Sequence, residues 1–141
     1  MRLPGSKTAG RLILLAGAML MTTAANNIPH PSALTGDWGG RQIRLSLTDA
    51  GGTIEFGCAS ASIDAPVHPD TNGKFTAAGR HEAFAAGPTH SADAPPATTA
   101  VRYTGHVQGD TLHLSVHQHG QKTTEDYTLE RGHRVKIIRC M

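Results

Sequence analysis

The chain is poor in aromatic and cysteine residues. It has 141 residues, of which one is tryptophan, two are tyrosine and three are phenylalanine, and its cysteines are limited to Cys58 and Cys140. Two cysteines without a C-x-x-C pair do not complete a structural zinc site. No G-x-S-x-G nucleophile motif occurs either. These absences argue against a cysteine zinc centre and a serine hydrolase, and we expect no enzymatic activity.

The chain also has no excess of basic residues once the first 25 residues are set aside. The formal net charge is +2, from 13 basic and 11 acidic residues. Arg2, Lys7 and Arg11 precede Ala25, and the rest of the chain therefore holds 10 basic against 11 acidic residues. This balance predicts no nucleic-acid binding.

Residues 1–25 have the pattern of a secretory signal peptide. Their basic start is followed by an apolar run over residues 12–21, which is too short to span a bilayer. Small residues then precede a predicted cleavage site after Ala25. We expect a periplasmic or secreted protein without a stable membrane anchor, with a flexible lead-in at residues 26–33 and one domain at residues 34–141. The alternative is an uncleaved N-terminal anchor.

The two cysteines are predicted to form a disulfide. Export would bring Cys58 and Cys140 into an oxidising compartment, where an even number of cysteines usually pairs. In the chain-entropy model a bridge over so long a loop stabilises the fold by about 4 kcal/mol. The alternative is a pair of free, buried thiols.

The last third of the chain predicts antiparallel strands. Apolar and polar residues alternate through residues 101–108, 112–117 and 127–130, the pattern of a sheet with one wet face. Gly109-Asp110 is a two-residue turn signal between the first two of these strands. Val135 and Ile137 are predicted to open a last strand that ends at Cys140.

The first half of the domain continues the strand pattern. We expect strands over residues 43–48 and 53–58 around a four-residue turn, and another over residues 74–84 after the turn signal Asn72-Gly73. Residues 59–69 are irregular, and residues 85–99 are predicted to be a long disordered loop. The predicted cross-strand pairs are Leu47–Ile54, Leu45–Phe56 and Ile43–Cys58, which place Cys58 on the core face.

These segments predict an all-β fold. Seven to eight short antiparallel strands with turns between neighbours fit a meander closed into a small barrel. The predicted core residues are Leu45, Leu47, Ile54, Phe56, Tyr103, Leu112, Leu114, Leu129 and Ile137.

Three short motifs resemble those of lipocalins and the wider calycin group. Gly36-Asp37-Trp38 resembles the GxW motif that begins the first barrel strand, and Glu125-Asp126-Tyr127 resembles the TDY motif with Glu in place of Thr. Arg134 or Arg139 would match the arginine that packs over the tryptophan. The chain is shorter than a typical lipocalin, lacks the C-terminal helix and looks more like small secreted bacterial β-barrels. The resemblance implies a barrel in which Gly36, Trp38 and Tyr127 are structural, and it implies no ligand.

Histidine is the unusually abundant residue, and all nine copies follow residue 25. In the hairpin around Gly109-Asp110, His106 faces His113 on the outer side of the sheet, and such partners are close enough to share a metal. His106 and His113, helped by His117 or Asp126, are predicted to bind zinc, copper or nickel weakly. The alternative is a set of solvated histidines. No other cofactor is expected.

The sequence leaves three functions open. The first is a non-catalytic exported barrel that binds a small ligand or a protein at the cell envelope. The second is a lipocalin-like carrier of a small apolar ligand, which needs an interior cavity. The third is a secreted protease inhibitor that uses residues 85–99. Leu, Ile and Val dominate the predicted inward positions and can fill a narrow barrel, which argues against the carrier.

Overall fold

The computed structural model describes Gly5 and residues 32–84 and 97–141. The predicted signal peptide, most of the lead-in and residues 85–96 of the predicted loop lie outside the described residues. In the part that is described we find no helix with the length and apolarity of a bilayer span.

Eight antiparallel strands form a closed barrel, as predicted. Each strand pairs with the next one along the chain, and the last pairs with the first. The strands are β1 (Gly36–Gly40), β2 (Ile43–Thr48), β3 (Gly51–Phe56), β4 (Ala59–Ile63), β5 (Lys74–Ala83), β6 (Thr98–Gln108), β7 (Thr111–Gln118) and β8 (Glu125–Arg131). Strand β6 thus begins inside the predicted loop, at Thr98.

Apolar side chains on the inward face fill the barrel. Seven of the nine predicted core residues are buried, and the prediction is wrong for Phe56 and Ile137, which are half-buried. Phe56 is the last residue of β3, at one end of the barrel, and Ile137 lies outside the sheet. The larger core side chains are Trp38, Ile43, Leu45, Leu47, Ile54, Ile63, Val67, Phe75, Val101, Tyr103, Leu112, Leu114, Val116 and Leu129.

The register between β2 and β3 differs from the predicted one by two residues. Leu45 lies opposite Ile54 rather than Phe56, because the strands turn at residues 49 and 50. Gly51, with a φ of 145°, already belongs to β3. A slip of two residues keeps every side chain on its predicted face. Cys58, however, is exposed in the turn between β3 and β4, and its predicted core position is wrong.

The prediction missed one strand and included one that does not form. Strand β4 contains mostly alanine and serine, which give no apolar alternation to recognise. The predicted strand from Val135 to Cys140 is instead a non-strand segment on the outside of the barrel. Arg44 Nη2 donates to the carbonyl of Val135 at 2.9 Å, and the amide of Cys140 donates to the carbonyl of Gly57 at 3.0 Å.

The predicted disulfide is present between Cys58 and Cys140, whose Cα atoms are 5.1 Å apart. It joins the turn between β3 and β4 to the C-terminal segment, across 82 positions of sequence. The bond therefore fixes the C-terminal segment to the barrel, where it forms no strand pairing of its own.

The contact between tryptophan and arginine exists, but it uses a different arginine from the two predicted. The guanidinium carbon of Arg131 lies 4.2 Å from the ring centroid of the buried Trp38. The two residues are partners where β8 closes onto β1, which brings the cation over the ring. Arg131 also donates to the carbonyl of Thr35 and to Asp110, each at 3.1 Å. Arg134 and Arg139 belong to the C-terminal segment instead.

Candidate binding site at one end of the barrel

The histidine pair predicted to bind metal is brought together on the outer face. His106 and His113 are direct cross-strand partners, in the predicted register. A ring nitrogen of His106 lies 3.0 Å from the carbonyl oxygen of Asn72. Lys74 flanks His106 on the other side, as its partner on β5. The positive charge of Lys74 repels a metal ion and lowers the affinity of any metal site at this pair.

The other predicted ligands do not join this pair. His117 lies four residues beyond His113 on the same strand, a distance of about 13 Å. Its ring nitrogen Nδ1 is 3.4 Å from the hydroxyl of Thr124. Asp126 accepts a hydrogen bond from Ser115. Within residues 32–84 and 97–141 no group of three or more His, Cys, Asp or Glu side chains is arranged to hold a metal ion.

Ser115, His113 and Asp126 share the outer face but are not arranged as a catalytic triad. The hydroxyl of Ser115 donates directly to the Asp126 carboxylate, and the His113 ring lies beside Thr128 instead. A triad requires the base between the nucleophile and the acid. Glu125 and Asp126 point to opposite faces, because their partners on β7 are the buried Val116 and the outward-facing Ser115.

A different group of side chains stands out at one end of the barrel interior. There the fully buried apolar residues give way to the more exposed Phe56, His81, Glu125 and Tyr127, which we call the aromatic end. Each position follows from pairing with an inward neighbour: Phe56 with Ile43, His81 with Ala61, Glu125 with Val116 and Tyr127 with Leu114. The three rings are half-buried and Glu125 is exposed. This end is therefore in contact with solvent, unlike the buried centre of the barrel.

Phe56 is the middle ring of this group. Its centroid lies 6.1 Å from that of His81 and 5.7 Å from that of Tyr127, with interplanar angles of 50° and 49°. These tilted geometries are favourable for aromatic pairs. Sequence analysis missed the group because its members come from β3, β5 and β8, which strand periodicity alone does not bring together.

The hydroxyl of Tyr127 is tied to the carboxylate of Glu125. It donates to Glu125 Oε2 at 2.7 Å. Burial, followed by this hydrogen bond and the negative charge, raises the pKa of Tyr127 above its usual range. The hydroxyl therefore keeps its proton at neutral pH, and the pair presents a carboxylate held beside aromatic rings.

A cavity of about 330 Å³ on the outer side of the barrel shares Phe56 with the aromatic end. Its lining includes Phe56, Phe84, Glu55, Glu82 and Arg139. Phe84 is 55% exposed, which is unusual for so large an apolar side chain. Arg139 lies 3.8 Å from Glu55, whereas Glu82 forms no ion pair with any described residue.

The fold and this end define a small closed eight-stranded antiparallel β-barrel with a filled centre. No protein family model, no curated protein and no solved structure matches the chain significantly.

Proposed function

We propose that this chain is an exported, non-catalytic binding protein of the cell envelope whose binding site is the aromatic end. The observation that carries the proposal is the change along the inward face, from buried apolar side chains to half-buried rings and an exposed carboxylate. Small-molecule sites are lined mainly by apolar and aromatic side chains with a few fixed polar groups. The disulfide favours an oxidising compartment and so supports export.

The filled interior argues against a carrier that holds an apolar ligand in the barrel centre. Leu45, Ile54 and Tyr103 are fully buried, and Leu114 is only 1% exposed. A ligand would have to displace these packed side chains, whereas it can contact the aromatic end without repacking the core. The inhibitor alternative depends mainly on residues 85–96 and gains no support from the described residues.

Native mass spectrometry of the protein purified from its source tests the proposal. We expect a non-covalently bound small molecule and an N-terminus at residue 26. Phe56→Leu should lose the bound molecule because it removes the central ring, and His113→Ala, a change on the far outer face, should keep it. A molecule retained by Phe56→Leu, a co-purified protease or an N-terminus at residue 1 would contradict the proposal.

A second candidate activity is weak binding of a divalent transition metal by His106 and His113. The confirmed cross-strand pairing of these residues is the observation that favours it. Imidazole nitrogen suits zinc, copper and nickel. Two ligands and the neighbouring Lys74 limit the affinity, so we propose an accessory surface site rather than a structural metal centre.

A further inference from the structure

We infer that the aromatic end binds small organic cations of the alkylammonium type. This inference rests on the proposed function and specifies the class of ligand. It follows from three features: the ring cluster, the sign of the charge beside it and the size of a neighbouring cavity that shares Phe56 with the cluster.

The three rings of the aromatic end offer aromatic surface to a ligand. Phe56 lies within 6.1 Å of both His81 and Tyr127, and all three rings remain partly exposed to solvent. The face of an aromatic ring is electron-rich and attracts a cation placed over it, and quaternary ammonium ligands are recognised by several such rings together. A half-open cluster at the end of a barrel leaves ring surface available for this contact.

The charge beside the rings is negative. Along the described strands, the inward positions at this end contain Glu125 and no lysine or arginine. The hydrogen bond from Tyr127 holds the Glu125 carboxylate beside the rings. Glu82 adds a second carboxylate at the rim, while Arg139 lies beside Glu55. The balance is negative and favours a cation over an anion.

The size of the neighbouring cavity suits a small ligand. A volume of about 330 Å³ is at the lower limit for small-molecule sites. Of the ring cluster only Phe56 lines this cavity, and an ammonium head placed over Phe56 would have room for a short apolar body against Phe84. A neutral apolar ligand would gain nothing from Glu125 and would leave that carboxylate partly desolvated.

The test compares choline with its neutral isostere 3,3-dimethylbutan-1-ol and its anionic analogue 3,3-dimethylbutanoate. Each probe is titrated into the isotopically labelled protein, followed by NMR. We expect choline to shift the signals of Phe56, His81 and Tyr127 and to bind at least tenfold more tightly than either analogue. Glu125→Gln keeps an acceptor for the Tyr127 hydroxyl but removes the charge, and it should weaken choline binding at least tenfold.

Glu130→Gln is the matched control, because Glu130 is an exposed acid on the outer face of the same strand. It should leave choline binding unchanged, and both variants should retain the wild-type melting temperature. Equal binding of choline and the alcohol at the aromatic end would overturn the cation inference while leaving the proposed binding function intact. Tighter binding of the anion, or no shift at this end with choline, would also overturn the inference.

Discussion

Truncation of Leu114 to alanine should destabilise the barrel strongly. Leu114 is 1% exposed and lies between Gly105 on β6 and Tyr127 on β8. Gly105 has no side chain to move into the space, and the ring of Phe75 already packs over it. Because these neighbours have little freedom to close the cavity, we expect a loss of about 3–5 kcal/mol in the free energy of unfolding, in the upper part of the range for Leu→Ala.

Urea denaturation followed by the fluorescence of Trp38 measures this loss. The adjacent His113→Ala variant is the control, because its side chain is exposed on the outer face and its truncation should cost at most about 0.5 kcal/mol. The slope of the transition should be the same for both variants. Similar losses at the two positions would refute the reasoning, since they would mean that the register is wrong by one residue.

The remaining predictions concern the disulfide, the histidine pair and a buried tyrosine. Reduction should increase the intact mass by two hydrogen atoms, and free alkylation of Cys58 and Cys140 in the native protein would contradict the bridge. Zinc should release heat in calorimetry at neutral pH and less in acid, where protons compete with the metal for the imidazole nitrogens. The His106→Ala/His113→Ala double variant should lose that heat but keep its metal-free melting temperature, and no heat or thermal shift in the wild type would exclude the site. Burial raises the pKa of Tyr103 to about 12. Its contribution to stability is therefore complete below the unfolded-state pKa of about 10 and is lost as pH rises toward 12, a loss that denaturation should show and that Tyr103→Phe should reduce.

The barrel was predictable because alternation encodes which face a residue occupies. Leu112, Leu114 and Leu129 were assigned to the core from their period alone, and the Gly109-Asp110 turn fixed the hairpin register. The β2–β3 register was predicted two residues off, because a slip of two leaves the apolar face unchanged and Gly51 and Gly52 permit more than one turn.

The candidate site was much less predictable. Phe56 is apolar and lies in phase with the core residues of its strand. It is only half-buried because it is the last residue of β3. Its contacts with His81 and Tyr127 depend on how the sheet closes, and periodicity within one strand carries no information on that closure. The arginine over Trp38 was misassigned for the same reason: Arg131 reaches the ring through the pairing of β8 with β1.

Chemical-shift mapping of a fragment library on the labelled full chain tests most directly whether the aromatic end, rather than the barrel interior, is the binding site. The largest changes should fall on Phe56, His81 and Tyr127, while the signals of Leu45 and Leu114 stay in place. Changes centred on Leu45 and Leu114, with the aromatic end unaffected, would show that a ligand enters the core and that the aromatic end is not the binding site.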